Sequence, residues 1–343
     1  MFSLSRSSIL NPISLSPSII FHNQSHLFNG NPLSMTSPTK QLLLTKNQKP
    51  NSSISKNPVT EQQNKEDEEQ FQVLTATSSE YNNIVILESR NSKVLLLDDS
   101  GNVHSILYKD QKWTNSYWDE FSSFPAIIPQ GPVAIFGLGG GTVAHQLLEF
   151  WPCLNIDGWE LDEILIDQAR VFFGLSELES RNKDSCSGDG FLRVCIGDAL
   201  DTSSRANVNG GYAGIIVDLF SNAEVLPQLE VAQTWVEMKE KLMVNGRIMV
   251  NCGGAKGSDN GMGERGWEVN LTIKALCEAF GGQFVNWKKM PENESGNYMA
   301  FTGTLPDFDS WSASVPEKLG SSVKLWRPCQ LLKPTPDESS SIS

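Results

Sequence analysis

The order of apolar and polar positions divides the chain near residue 130. Before that point, YNNIVILES (81–89), KVLLLDD (93–99) and NVHSILY (102–108) are strand-length runs rich in Val, Ile and Leu. Arg90-Asn91-Ser92 and Asp99-Ser100-Gly101 separate them and read as turns. These runs predict a small antiparallel sheet. Beyond it the rhythm becomes strand, helix, strand, helix. A short apolar strand over 132–136 runs into glycines. Residues 142–150 predict a helix with Val143, Ala144, Leu147 and Leu148 on one face. Residues 155–160 form a second strand. Asp162 can cap a helix with Leu165, Ala169 and Phe172 at helical spacing, stopped by Gly174. Further strands follow over 192–196, 214–217 and 247–250. Val231, Trp235, Met238 and Leu242 mark a helix ending at Asn245-Gly246, and Val269, Ile273, Leu276 and Phe280 mark another. Residues 283–288 and 297–303 close the pattern as an antiparallel pair. Strands separated by helices imply an α/β fold with a mostly parallel, Rossmann-like sheet covered on both faces.

Composition changes this picture at the ends. Residues 1–60 hold 13 serines and five basic residues but no Asp or Glu, although the whole chain has a net charge of −13. An acid-free, Ser-rich start predicts an organelle transit peptide, and the single arginine, Arg6, favours a chloroplast address. Residues 61–70 (EQQNKEDEEQ) read as a solvated linker. The expected division is therefore a transit peptide and linker over 1–70, a small β domain over 71–125, a Rossmann-like domain over 126–333 and a disordered tail over 334–343. An acidic chain repels phosphate backbones, which argues against nucleic acid as a partner. No apolar run is long enough to span a membrane. The six cysteines are scattered without a CxxC pair, and most read as buried thiols. Only His104 and His145 lie outside the first 60 residues, so a zinc site or a histidine-based triad is not expected.

Chemistry collects where the parallel strands end. Gly137-Leu-Gly139-Gly140-Gly141-Thr142 is a strand–turn–helix junction of G-x-G-x-G form, which suits an S-adenosylmethionine site. A dinucleotide fingerprint would place glycine where Thr142 stands. A tight turn alone would also use these glycines. Glu160, closing the second strand, can accept ribose hydroxyls. Asp198 follows the third strand and can accept from the exocyclic amine of adenine, with the Ala199 backbone alongside. Asp218 ends the fourth strand, beside the glycine loop at the switch point of such sheets. Four features in order, each at a strand end, point to a nucleoside of the adenosylmethionine type. Loop 253–266, with six glycines, reads equally as a lid over an acceptor or as a plain flexible loop.

With these residues in place, the chain over about 81–305 resembles the spermidine synthase (polyamine aminopropyltransferase) family, within the class I methyltransferase-like fold. LLLDD (95–99) resembles that family's small β domain. Tyr117, with Pro125 eight residues later, matches its Y-x-E-M…P segment, with Asp119 in place of Glu. Asp218 falls on the first Asp of its D-S-S-D-P motif, and 291–296 on its P-T-Y-P-S-G hairpin. The resemblance implies a small-molecule acceptor, polyamine biosynthesis, a homodimer, Glu160 and Asp198 as nucleoside contacts, and Tyr117 and Asp218 on the acceptor side. The departures lie at the substrate end. Gly140 replaces the Asp that holds the aminopropyl amine, Ser221 the second Asp of D-S-S-D, and Asn293 the hairpin tyrosine. Decarboxylated adenosylmethionine ends in a cation that wants a carboxylate, whereas the intact form carries a carboxylate that an Asp would repel. Three readings follow. The first is a methyltransferase using intact S-adenosylmethionine on an unknown small acceptor, with Asp218 holding or deprotonating it and Tyr117 lining its pocket. The others are an aminopropyltransferase of altered specificity, and a non-catalytic binding protein. An acidic side chain such as Asp119 entering the acceptor pocket would favour the second.

Overall fold

The computed structural model describes residues 19–20, 70–181, 190–201, 210–254 and 263–329. The rest, including nearly all of the expected transit peptide and linker, Cys186, residues 255–262 of the glycine-rich loop and the terminal tail, lies outside the described residues.

The first sheet is an antiparallel meander of β1 (Gln70–Ser78), β2 (Asn83–Glu88), β3 (Ser92–Leu96) and β4 (Ser105–Tyr108), with Ile19–Ile20 paired to the start of β1. The sequence pattern predicts no strand at β1. Its QFQVLTATS alternates only weakly, it follows a charged stretch, and a bulge between Val73 and Thr75 breaks its period. Pairing with β2 decides its conformation.

A single helical turn, α1 (Trp118–Phe121), leads into the main sheet. Its elements run β5 (Val133–Phe136), α2 (Thr142–Phe150), β6 (Asn155–Glu160), α3 (Glu163–Phe172), α4 (Leu175–Ser180), β7 (Phe191–Ile196) and β8 (Tyr212–Val217). A small hairpin, β9 (Phe220–Ser221) and β10 (Glu224–Val225), precedes α5 (Ala232–Lys239), β11 (Leu242–Asn251), α6 (Leu271–Phe280), β12 (Val285–Lys289), β13 (Tyr298–Thr302), α7 (Phe308–Ser314) and β14 (Arg327–Pro328). The strand order is β14-β12-β13-β11-β8-β5-β6-β7. β11, β8, β5, β6 and β7 are parallel, while β13 runs against both neighbours. The order reverses between β5 and β8, which makes their carboxyl ends the switch point.

Most elements match the periodicity. Asp162 caps α3 by accepting from Leu165 N at 3.1 Å. One expected helix is shorter than its apolar spacing suggested. Leu242 repeats with Trp235 and Met238, yet it opens β11 opposite Tyr212. Asn245, at φ 63°, then makes the irregularity that lets Arg247 pair with Gly214. Gly174 does end α3, but at φ 70° it also opens the short α4, which the sequence reading lacked.

The main sheet carries a core on each face. Trp235, Met238, Ile273 and Leu276 of α5 and α6 pack on one face. On the other, Val143, Leu147, Leu165 and Ile166 join Ile84, Ile86 and Leu95 of the first sheet in one cluster. The expected boundary near 125 thus divides the sequence and not the core. The first sheet also holds α3 at both ends. Ser79 Oγ and Asn82 Nδ2 donate to the capping carboxylate of Asp162, and Lys93 Nζ donates to Phe172 O at 2.9 Å. Of the cysteines among the described residues, Cys252 and Cys329 are buried, Cys195 and Cys277 half-buried and Cys153 exposed, so fewer than the expected majority are fully buried.

Candidate active site

The glycine loop leaves β5 at the switch point. Gly137 N and Leu138 N both donate to Trp159 O, at 3.0 and 2.9 Å. Gly137 has φ 88°, and a Cβ there would lie 2.2 Å from Asp218 O. A Cβ on Gly141 would lie 2.4 Å from Leu175. Close protein contacts therefore require both glycines.

A glycine loop ahead of a helix N-terminus can present open N–H groups to a ligand. Instead Gly139 N donates to Glu160 Oε2 at 3.0 Å, Gly140 N to Ser105 Oγ at 2.8 Å, and Gly141 N to Leu138 O at 2.9 Å. Ser105 comes from β4. It fills the space beside Gly140, where a Cβ would meet Ser105 Cβ at 2.8 Å. The donor groups of 137–141 are thus engaged within the chain.

Glu160 closes β6. Its Oε1 accepts from Leu161 N at 2.9 Å and Asp162 N at 3.2 Å. With Gly139 N on Oε2, three of a carboxylate's roughly four acceptor positions are occupied. One position on Oε2 remains for a ligand hydroxyl. Burial pushes this carboxyl up, and the three N–H groups pull it back. Gly197 N donates to Glu160 O at 2.9 Å, which brings the end of β7 alongside. There Asp198 is exposed and accepts from Leu200 N at 2.8 Å, while Ala199 is buried. Leu161 and Ile196, each about two-fifths exposed at 43% and 42%, flank Glu160. Their apolar surface suits the face of a base. Glu160→Ala is expected to weaken adenosylmethionine binding by about 2 kcal/mol, roughly thirtyfold, in calorimetry. Unchanged affinity at unchanged melting temperature would remove Glu160 from the site.

Asp218 leaves β8 next to the loop. Tyr117 OH donates to its Oδ2 at 3.1 Å and Asn251 Nδ2 to its Oδ1 at 3.0 Å. Burial raises the Asp218 carboxyl to about 6, opposed by bonds from Asn251, Tyr117 and Trp118. Burial and the adjacent carboxylate hold the Tyr117 phenol well above its usual range, so it stays a neutral donor. Asn251 Oδ1 accepts from Gly253 N at 3.1 Å and from Asn297 Nδ2 at 3.0 Å. The structure thus brings Tyr117 and Asp218 together and adds Asn251 and Asn297, which the sequence reading missed. Asn251 closes an apolar strand at the same carboxyl edge as Glu160, so the strand-end rule could have found it. Asn297 starts an antiparallel strand and had no such marker.

His145 has the structural helix place its position suggests, whereas His104, expected at an exposed strand position, lies half-buried just before β4. His145 Nε2 lies 2.7 Å from Phe173 O, and His104 Nδ1 accepts from Leu97 N at 3.3 Å. Among the described residues, no group of His, Cys, Asp and Glu could hold a metal ion, and no helix is long and apolar enough to cross a membrane.

No family model matches the chain. A probable polyamine aminopropyl transferase of Bifidobacterium longum is 26% identical over 172 residues, 50% of this chain and 35% of that protein. A polyamine aminopropyltransferase of Vibrio vulnificus is 27% identical over 190 residues, 53% of this chain and 60% of that protein. The chain thus matches between about a third and three-fifths of the length of these relatives. Spermidine synthase from Thermotoga maritima superposes over 73% of this chain and 79% of its own, with TM-score 0.50 and 17% identity. The fold is spermidine synthase-like.

Within this spermidine synthase-like fold the acceptor side departs from the family motifs. Ser221 is exposed in the β9–β10 hairpin, and Asn293 is exposed in turn 291–296. Asp119 is engaged elsewhere. It is buried and accepts from Thr114 N, Thr114 Oγ1, Asn115 N and Gln146 Nε2, and pairs with Lys318 Nζ at 2.8 Å. Glu120 beside it pairs with Lys288 Nζ at 2.7 Å, with both side chains only 3% exposed.

Proposed function

We propose that the protein is an S-adenosylmethionine-dependent methyltransferase whose small acceptor carries an N–H or O–H. Bound adenosylmethionine supplies an electrophilic methyl group. The residues at the carboxyl ends of β6 and β7 suit its nucleoside: the open position on Glu160 Oε2, exposed Asp198, and the apolar Leu161. Asp218, with its carboxyl near 6, is mostly ionised at neutral pH and can take the acceptor's proton. Tyr117 orients that carboxylate and lines the pocket.

The observation that carries the choice of donor lies beside Gly140. A neutral Ser105 fills the place in which the resembling family holds an aminopropyl ammonium with a carboxylate. Ser105 also takes the Gly140 N–H that a donor carboxylate was expected to meet, so the preference rests on the missing negative charge alone. Calorimetry should find tighter binding of intact than of decarboxylated adenosylmethionine. Gly140→Asp alone should misfit because of Ser105, so the informative variant is Gly140→Asp with Ser105→Gly. It should move the preference toward the decarboxylated donor by about tenfold or more.

A second reading, aminopropyl transfer to an amine, is favoured by the names of the curated relatives. Native preference for the decarboxylated donor with transfer to putrescine would establish it and overturn the first. The commitment of Asp119 to Lys318 removes the one acidic group singled out in its favour.

A further inference from the structure

On one side of Asp218 the hydrogen bonds have a fixed direction. Gly253 N–H can only donate, so the Asn251 atom facing it at 3.1 Å must be the carbonyl oxygen. Asn297 Nδ2 meets the same oxygen at 3.0 Å. The Asn251 amide nitrogen is therefore turned to Asp218 Oδ1, and it too can only donate. Asn251 is 1% exposed, so water does not offer it an alternative. The opposite edge of the carboxylate differs. Oδ2 faces Tyr117 OH, and a hydroxyl can turn from donor to acceptor, unlike the Trp118 N–H that also bonds this carboxylate.

We infer that Asn251, locked by Gly253 N–H and Asn297, is a positioning residue that directs the proton taken by Asp218 to Oδ2. A hydrogen on Oδ1 would confront the fixed amide N–H. A hydrogen on Oδ2 is met by the Tyr117 oxygen once its hydroxyl rotates. The acceptor's N–H or O–H then approaches the Oδ2 edge beside Tyr117. Its proton passes to Oδ2, and its electron pair stays on the nucleophile. The assignment rests on the proposed role of Asp218 as base. Of the hydrogen-bond partners of Asp218 among the described residues, only Tyr117 titrates.

The test is a carbon-13 NMR titration of full-length protein labelled at aspartate carboxyl and tyrosine ring carbons. Asp218→Asn assigns the first resonance and Tyr117→Phe the second. The Tyr117 ring carbon should follow the Asp218 transition with the same midpoint, as the hydroxyl changes role. Asn251→Ala should raise that midpoint by roughly one pH unit. Asn297→Ala should raise it less, because Gly253 N–H still holds the amide. A midpoint unmoved in Asn251→Ala at native melting temperature overturns the inference, as does a Tyr117 resonance blind to the transition. If Asn251→Ala does not fold, Asn251→Ser is read by the same two outcomes. Calorimetry with adenosylmethionine on the same samples separates this result from the transferase reading. A protein that binds the donor but shows no coupled transition overturns the positioning role alone. One that shows the transition but binds no donor overturns the transferase reading.

Discussion

Asp218→Asn should make the protein more stable at pH 8 and at the same time cut the proposed transfer sharply. Burial lifts the carboxyl from 3.8 to about 6, so the folded state holds the proton more tightly than the unfolded chain. Ionising it in the fold therefore costs stability. That cost is absent below about pH 4, grows between 4 and 6, and is complete above 6. A difference of about two pH units corresponds to roughly 3 kcal/mol. The amide can take the same place: its oxygen accepts from Asn251, and its nitrogen donates to the Tyr117 oxygen. Denaturation should show a gain of about 1–3 kcal/mol at pH 8 that vanishes at pH 4. Loss of the base should lower transfer by about a hundredfold or more. An equal stability difference at both pH values would mean that charge burial is not its origin.

Lys288→Met should be among the most damaging single changes outside the site. Glu120 Oε1 accepts from Lys288 Nζ at 2.7 Å and from Ser322 Oγ at 2.5 Å, while its Oε2 is buried without a hydrogen-bond partner. Removing the ammonium leaves a buried carboxylate whose remaining hydrogen bond comes from Ser322 Oγ. The loss should be about 3–5 kcal/mol. Glu120→Met together with Lys288→Met should recover most of it, because two apolar chains of similar length carry no unpaired charge. Urea denaturation of both singles and the double gives the coupling. A double variant no better than Lys288→Met would show that shape, not charge, governs this site.

The parts of the fold legible in the sequence are those decided by near neighbours. β5, α2, β6 and α3 were all readable because apolar period, cap and strand-end acid lie within a few residues of one another. What escaped is decided by partners far along the chain. β1 depends on β2, and Leu242 depends on Tyr212. The same holds in the site. Glu160 and Asp218 stand at strand ends and could be placed. The Ser105 contact with Gly140 spans 35 residues, and the Asn251 contact with Asn297 spans 46. Neither leaves a local pattern. The glycine motif itself was seen, but its engaged N–H groups depend on those distant partners.

The grip of the first sheet on α3 bears on the order in which the molecule can be made. Ser79 and Lys93 meet residues 83 and 79 positions further on, at Asp162 and Phe172. A ribosome therefore releases the four strands well before α3, which completes the cover that α2 begins, exists. At about 5–20 residues per second, their apolar side waits on the order of 4–16 s for its cover. For that interval the nascent sheet exposes apolar surface open to aggregation.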